Sequence, residues 1–229
     1  MTSGGKRYVA VIADLVRSRR LPDRASVQER LEATLAELND EFSSQIASDF
    51  IVTLGDEFQG LLEIECPFET VWWAYQRRMR TVVTTRFSFG IGTLETGLKP
   101  TALGMDGPCF HAARAGLDEA KKHDRSLMVR IAEPTVFDAL VDRGTLLLER
   151  VMQSWSPRQA ETVDLLAELG QQEKVAERRE VTKQTVHDSL TASHGLAWLD
   201  MFASLSQSVR SFDPMPATAN VRPQGLISP

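Results

Sequence analysis

Two acidic residues, Asp14 and Asp56, stand where they could hold a metal ion. Asp14 follows the apolar segment Tyr8–Ala13, and Asp56 follows Phe50–Leu54 and one glycine. Both segments are rich in β-branched residues, which is typical of buried strands. If the two strands pair, the carboxylates lie side by side and can bind Mg²⁺ together with phosphate oxygens, as in phosphoryl transfer. We therefore expect a magnesium site at Asp14 and Asp56, to which Glu57 adds a third oxygen ligand.

The same residues also have a purely structural interpretation. Asp14 could cap the turn after its strand, and Gly55-Asp56 could be an ordinary hairpin turn, since Asp and Gly are common in both places. Short motifs of this kind often occur by chance. Spacing alone therefore leaves both interpretations open.

The segments around these residues predict an α+β domain over residues 1–154. Apolar or alternating patterns predict strands at Tyr8–Ala13, Phe50–Leu54, Gln59–Ile64, Phe87–Ile91 and Leu127–Ile131. Helical periodicity predicts helices at Arg24–Phe42, Phe68–Val82, Phe110–Lys122 and Glu133–Gln153. This order is that of a ferredoxin-like or palm sheet with helices on one face. The domain ends before Ser156, where a serine cap, Pro157 and Gln159 signal a new helix.

Residues 155–210 predict a small all-α domain with a helix-turn-helix. Apolar positions in Gln172–Leu190 allow two helices to cross closely, and Thr182 is suited to cap the second one. The N-terminal residues of that second helix face the major groove of DNA in such units. They are Thr182, Lys183, Gln184, Thr185 and His187. Lys and Gln can read guanine and adenine, whereas Arg178 and Arg179 are placed to contact phosphates.

The charge of this helical unit is unfavourable for DNA. From Ser156 to Asp200 there are five Lys and Arg against eight Asp and Glu, and Glu180 stands in the turn where such motifs often have glycine. A trihelical unit can equally dock another protein. The segment Leu196–Leu205 either covers the core or pairs two chains, and a homodimer would suit a palindromic DNA site.

The composition narrows the class of protein. The chain of 229 residues has a net charge of -5, so any contact with DNA must come from a local surface. Its two cysteines form no CxxC pair, which argues against a zinc site or a disulfide framework and favours the cytoplasm. No apolar segment is long enough to span a membrane. The proline-containing residues 211–229 have no apolar periodicity and predict a disordered tail.

The motifs resemble those of two related groups of proteins. Val11–Val16 and Val52–Phe58 are similar to the metal-bearing segments of the palm in class III nucleotidyl cyclases and GGDEF diguanylate cyclases. Phe89–Gly92, Asp106 and Ala112–Arg114 are similar to the later cyclase strand and helix. The whole order from Tyr8 to Leu199 resembles the SatD family, which has a strand ending in Asp, a Leu-Gly-Asp-Glu-Phe-Gln-Gly hairpin, an Asp-Gly-Pro loop before an Ala-Arg helix, and a C-terminal helix-turn-helix.

The resemblance implies a purine nucleotide site with Mg²⁺ at the acidic residues. Its expected nucleotide contacts are Arg17, Ser18, Arg19, Gly55, Asp106 and Arg114. Val52 and Phe110 stand where class III cyclases have a purine-reading Lys and a transition-state Asn, and losing one such donor costs ~10²–10³ in rate. We therefore expect a DNA-binding regulator that senses a nucleotide without catalysis. The alternatives are a metal-dependent nucleotidyl-transfer enzyme acting on nucleoside triphosphates, and an interaction scaffold.

Overall fold

The computed structural model of the chain describes residues 5–18, 23–133 and 137–212. Within them, one sheet contains strands β1 (Arg7–Leu15), β2 (Ile46–Leu54), β3 (Glu57–Glu63), β4 (Thr85–Thr93) and β5 (Leu127–Ile131). The helices are α1 (Arg24–Glu41), α2 (Phe68–Met79), α3 (Pro108–Lys122), α4 (Asp138–Gln153), α5 (Pro157–Leu169), α6 (Gln172–Arg178), α7 (Lys183–Ala192) and α8 (Gly195–Ser211). The predicted α+β class with an all-helical C-terminal region is confirmed. No described helix is long and apolar enough to cross a membrane.

Strand β1 lies at the centre of the sheet, whose order is β2-β3-β1-β4-β5. It is antiparallel to both neighbours, and β5 joins β4 in parallel. In this register Asp14 lies opposite Glu57 of β3 on one side and opposite Arg86 of β4 on the other. The end of β1 and the start of β3 therefore meet at one edge of the sheet.

Both faces of β1 are buried, so the prediction that helices cover only one face is wrong. Alternate side chains enter two separate cores: Val9, Val11 and Ala13 pack in the core that contains α1 and α2, and Tyr8, Ala10 and Ile12 pack in the core that contains α3. Successive side chains of a strand point to opposite faces. The uninterrupted apolar segment Tyr8–Ala13 therefore needs cover on both sides.

The hairpin turn is shorter than predicted and consists of Gly55-Asp56. Gly55 has φ +60°, in the left-handed region that glycine adopts without strain. Phe58 belongs to β3 and is fully buried, with its ring centroid 5.2 Å from that of Tyr75. Glu57 is consequently a strand residue whose side chain lies on the face covered by α3.

Helix α3 packs unusually close to β4 because glycines line the contact. A Cβ on Gly90 would lie 2.1 Å from the carbonyl oxygen of Cys109 and 2.4 Å from the backbone nitrogen of Ala113. A Cβ on Gly116 would lie 2.3 Å from Ser88 Oγ. Only residues without a side chain at Gly90 and Gly116 allow this approach.

The helical region shares its core with the sheet. Trp198 of α8 stacks on Trp72 of α2 with ring centroids 5.8 Å apart, and its indole N–H donates to the carbonyl of Leu148 at 2.6 Å. The Trp155 indole N–H donates to the carbonyl of Ser193 at 2.8 Å. The apolar core is therefore continuous across residue 155.

The ends of the helical region differ in part from expectation. Ser156 caps α5 through the predicted capping box with Gln159. Helix α8 ends at Ser211, which is the first residue of the predicted tail. The rest of that predicted tail, residues 213–229, lies outside the described residues.

We expect Gly90→Ala to lower the free energy of unfolding by about 3 kcal/mol, because its Cβ would clash with backbone atoms of α3 that cannot move aside. Urea unfolding followed by circular dichroism measures this. Gly97→Ala is the matched control, since a Cβ there would meet no atom within 4 Å. Equal stabilities of the two variants would contradict the close packing of α3 on β4.

Candidate functional site

Three acidic residues, Asp14, Asp56 and Glu57, are neighbours where β1 ends and β3 begins, and we call this part of the sheet the acidic edge. Asp14 and Glu57 are register partners, and the backbone N–H of Leu15 donates to the carbonyl of Asp56 at 2.9 Å. Asp14 is half-buried and Glu57 is buried. The structure thus brings together the three residues that the sequence proposed as metal ligands.

Each of these carboxylates has a partner within the chain. The Arg114 guanidinium donates to both oxygens of Glu57 at 2.6 Å, and Lys121 Nζ lies 3.3 Å from Asp14 Oδ1. Asp56 accepts a hydrogen bond from the hydroxyl of buried Ser18. The carboxylates are therefore compensated mainly by two basic residues of α3.

Lys121 was not among the predicted site residues. It lies seven residues after Arg114, which places both side chains on the same face of α3 two turns apart. That spacing was the available signal in the sequence, but its use requires knowing that α3 covers the face of the sheet that carries Asp14.

Burial and ion pairing shift the two facing carboxyls in opposite directions. Burial raises the pKa of Asp14, and this effect outweighs the opposing effect of Lys121. Hydrogen bonds from Arg114 lower the pKa of Glu57 despite its burial. Neighbouring carboxyls with pKa values pushed apart are typical of functional sites, although structural ion pairs also produce such shifts.

The donor set suits a cation bound together with an anion better than a bare cation. No group of three acidic, histidine or cysteine side chains forms a metal-holding cluster within residues 5–18, 23–133 and 137–212. Glu57 has both oxygens engaged by Arg114. Asp14 and Asp56 have the oxygen ligands that Mg²⁺ prefers, and Lys121 and Arg114 beside them have the charge that phosphate oxygens require.

The predicted phosphate contacts after β1 are only partly placed at this edge. Ser18 bonds to Asp56, as described above, and Gly55 forms the adjacent turn. Arg17 is exposed and has φ +57°, a left-handed conformation that is uncommon for arginine. Arg19 lies outside the described residues.

Asp106 lies at the opposite end of the sheet. It precedes Gly107, which packs against the backbone at Thr93, the last residue of β4. Because β4 runs antiparallel to β1, that end is about 20 Å from Asp14 at ~3.3 Å per residue. The Asp106 carboxylate instead lies 2.7 Å from His111 Nε2. The structure does not bring Asp106 to the acidic edge.

Helices α6 and α7 form the predicted helix-turn-helix. Val175, Val186 and Leu190 are buried between the helices of this region. Glu180 has φ +53°, so it adopts the left-handed conformation for which such turns often use glycine. The Thr182 hydroxyl accepts from the backbone N–H of Thr185 at 3.1 Å, which confirms Thr182 as the cap of α7.

The first turns of α7 are exposed to solvent. The exposed side chains are Lys183, Gln184, Thr185 and His187, together with Arg178 at the end of α6. Lys183 forms an ion pair with Glu173, and Gln184 donates to Asp188 at 2.7 Å. Arg179, in contrast, is not exposed. Its side chain donates to the Thr162 hydroxyl of α5, and its Nε lies 3.6 Å from Oε2 of Glu161.

The order of these elements corresponds to one known family. Residues 8–196 match the SatD family, and this segment includes both the acidic edge and the helix-turn-helix. The chain belongs to the SatD family. Among solved structures, this SatD family member is similar to a bacterial light-regulated adenylyl cyclase, with 13% identity and a TM-score of 0.38 over 53% of this chain and 74% of that one. No curated protein matches the chain.

We expect amide substitutions at the two facing carboxyls to change stability in opposite directions at pH 7. The raised pKa of Asp14 means that its charge destabilises the fold increasingly as pH rises through that pKa, so Asp14→Asn should raise the unfolding midpoint at pH 7. Glu57 contributes stability above the ordinary glutamate pKa, so Glu57→Gln should cost about 2 kcal/mol through loss of the Arg114 bonds.

The difference in stability between each variant and the wild type should be smaller at pH 3, where the wild-type carboxyls are increasingly protonated. Thermal unfolding at the two pH values measures them. Stabilisation by Glu57→Gln at pH 7, or destabilisation by Asp14→Asn, would contradict the assigned electrostatics.

Proposed function

We propose that this SatD family protein is a DNA-binding regulator that contacts DNA through the first turns of α7. The observation that carries the proposal is the exposure of Lys183, Gln184, Thr185 and His187 at the start of the second helix of a helix-turn-helix. In such units this part of the helix enters the major groove. Gln184 has an amide suited to adenine, and Lys183 has a donor suited to guanine.

Contacts with DNA can replace the contacts that these side chains make within the chain at a small cost in free energy. The Lys183 side chain is 62% exposed in its ion pair with Glu173. Exposed ion pairs contribute only about 0–1 kcal/mol. A DNA phosphate or base edge can therefore replace Glu173 as the partner of Lys183 with little loss.

The acidic excess of the helical region is partly compensated inside the protein. Asp164 is paired with Arg80 and Glu168 with Arg77, so the end of α2 and the residue directly after it supply the countercharge for two acidic residues of α5. The remaining positive charge near α7 is small. Binding should therefore depend on a few phosphate contacts and weaken only moderately with added salt, because the salt dependence grows with the number of phosphates neutralised.

We expect Gln184→Ala to weaken binding to the preferred DNA sequence about tenfold or more and to relax base preference, because a bidentate base contact discriminates by ~1–3 kcal/mol. Lys183→Ala should weaken binding by a similar amount. The measurement is retention of genomic fragments by the full chain at two salt concentrations, followed by titration of a retained fragment. Arg30→Ala, an exposed change on α1, is the control. Failure to retain any discrete fragment would contradict the proposal.

A second function is favoured by the acidic edge. We propose that Asp14 and Asp56 hold a divalent cation that arrives with a nucleotide, while Arg114 and Lys121 hold its phosphates. The cation would neutralise phosphate charge when bound. Asp14 and Lys121, which now compensate each other, would then each have a ligand partner, which favours joint binding over binding of either component alone.

Binding without turnover fits the surroundings of this edge better than catalysis. Phe110, which the resemblance places where class III cyclases have a transition-state Asn, is a residue of α3 that is buried in the core and offers no hydrogen bond. The nucleotidyl-transfer alternative would require another group to stabilise charge at the reacting phosphate. A product formed from a nucleoside triphosphate by the purified chain would favour that alternative.

We expect calorimetric titration with ATP or GTP to show binding only when Mg²⁺ is present. Lys121→Gln should weaken this binding at least tenfold, because a charged phosphate contact is lost, whereas Lys122→Gln, an exposed neighbour on α3, should not. Asp14→Asn should remove the Mg²⁺ requirement or the binding itself. Equal binding in EDTA, or equal effects of the two lysine variants, would contradict this assignment.

A further inference from the structure

Exposed apolar side chains are concentrated on helices α4 and α8. Eight large hydrophobic side chains are exposed in the part of the chain that the structure describes, and five of them lie on these helices or directly before α4. They are Phe137, Leu140, Leu147, Leu196 and Met201. Phe137, Leu140 and Met201 border one groove, whereas Leu196 borders a separate pocket beside α5 and α6. Contiguous apolar patches on a protein surface mark interaction sites.

A groove of about 460 Å³ runs between the same two helices. Its apolar lining includes Phe137, Leu140, Val141, Met201, Leu205 and Phe212. At Gly144 the helices are close, since a Cβ there would lie 3.1 Å from Leu205 Cδ1 and 3.4 Å from Met201 Cε. The helices thus close the bottom of the groove and leave its apolar walls open to the outside.

The apolar surface formed by α4 and α8, called the patch below, has side chains that project from it as well as the groove. Leu140 and Leu147 are 65% and 60% exposed and lie two helical turns apart on α4. We infer that two copies of this chain associate through α4 and α8, so that leucines of each copy pack into the groove of the other. A patch that contains both a projection and a matching groove can bind itself across a two-fold axis.

The charges beside the patch favour α4 of one copy packing on α8 of the other. The exposed side of α4 has Arg143 and Arg150, whereas the exposed side of α8 has Asp200. Packing α4 against a second α4 would bring arginines together, but packing it against α8 brings opposite charges together. The association does not depend on the proposed DNA contact.

The test is the mass of the full chain in solution by sedimentation equilibrium. We expect twice the chain mass of 25.5 kDa at micromolar concentration. The double substitution Leu140→Glu and Leu147→Glu should raise the dissociation constant at least a hundredfold. Leu98→Glu with Leu103→Glu is the matched control, because these leucines are 52% and 54% exposed but lie in the loop before α3, and it should remain a dimer. Circular dichroism establishes that all variants are folded.

A charge exchange tests the proposed orientation. Asp200→Arg should weaken association, and adding Arg143→Asp to the same chain should restore it to within about threefold of wild type. A monomeric wild type at 100 micromolar, or a dimer unaffected by the Leu140 and Leu147 changes, would overturn the proposal. Absence of rescue by the charge exchange would overturn the packing of α4 on α8.

Discussion

The close approach of α3 to β4 is the constraint on which the site depends. Gly90 on the strand and Gly116 on the helix leave no room for side chains between the two elements. Helix α3 can therefore cover the second face of β1, and it carries Arg114 and Lys121 to the edge where Asp14 and Glu57 face each other. A helix held farther from the sheet by larger residues would leave these carboxylates without their basic partners.

The helical region is joined to this sheet by packing and by charge. The indole of Trp198 contacts residues of both parts, since its ring centroid lies 5.8 Å from that of Trp72 and 5.5 Å from that of Trp155. Arg80, directly after α2, also pairs with Asp164 of α5, and burial raises the pKa of Asp164 to about 7. Burying such a pair contributes little net stability, but it fixes how the two elements pack. These contacts hold α7 in a defined position relative to the acidic edge.

Local signals in the sequence were sufficient to predict most elements. The strand Leu127–Ile131, the cap at Ser156 and the cap at Thr182 are all observed where the pattern placed them. Each of these inferences needs only neighbouring residues. The closeness of Asp14 and Asp56 was expected on the condition that their preceding strands pair, and that condition is not met: β1 pairs with β3, the second strand of the hairpin, and β2 lies beyond it.

Features that depend on distant packing were missed. The sequence pattern did not show that α3 covers the opposite face from α1 and α2, and without that fact Lys121 could not be connected with Asp14. Asp106 was grouped with the acidic edge because of motif order, although the antiparallel course of β4 places it at the other end of the sheet. The neutralisation of acidic residues of α5 by arginines at the end of α2 likewise depends on contacts between residues more than 80 positions apart.

The most direct test of the proposed DNA contact is hydrogen exchange of the full chain, free and bound to a DNA fragment that it retains from genomic DNA. We expect slower exchange at the start of α7, around Lys183 to His187, with little change in α3. Protection confined to other elements, with α7 unaffected, would contradict the assignment of this helix as the DNA-binding surface.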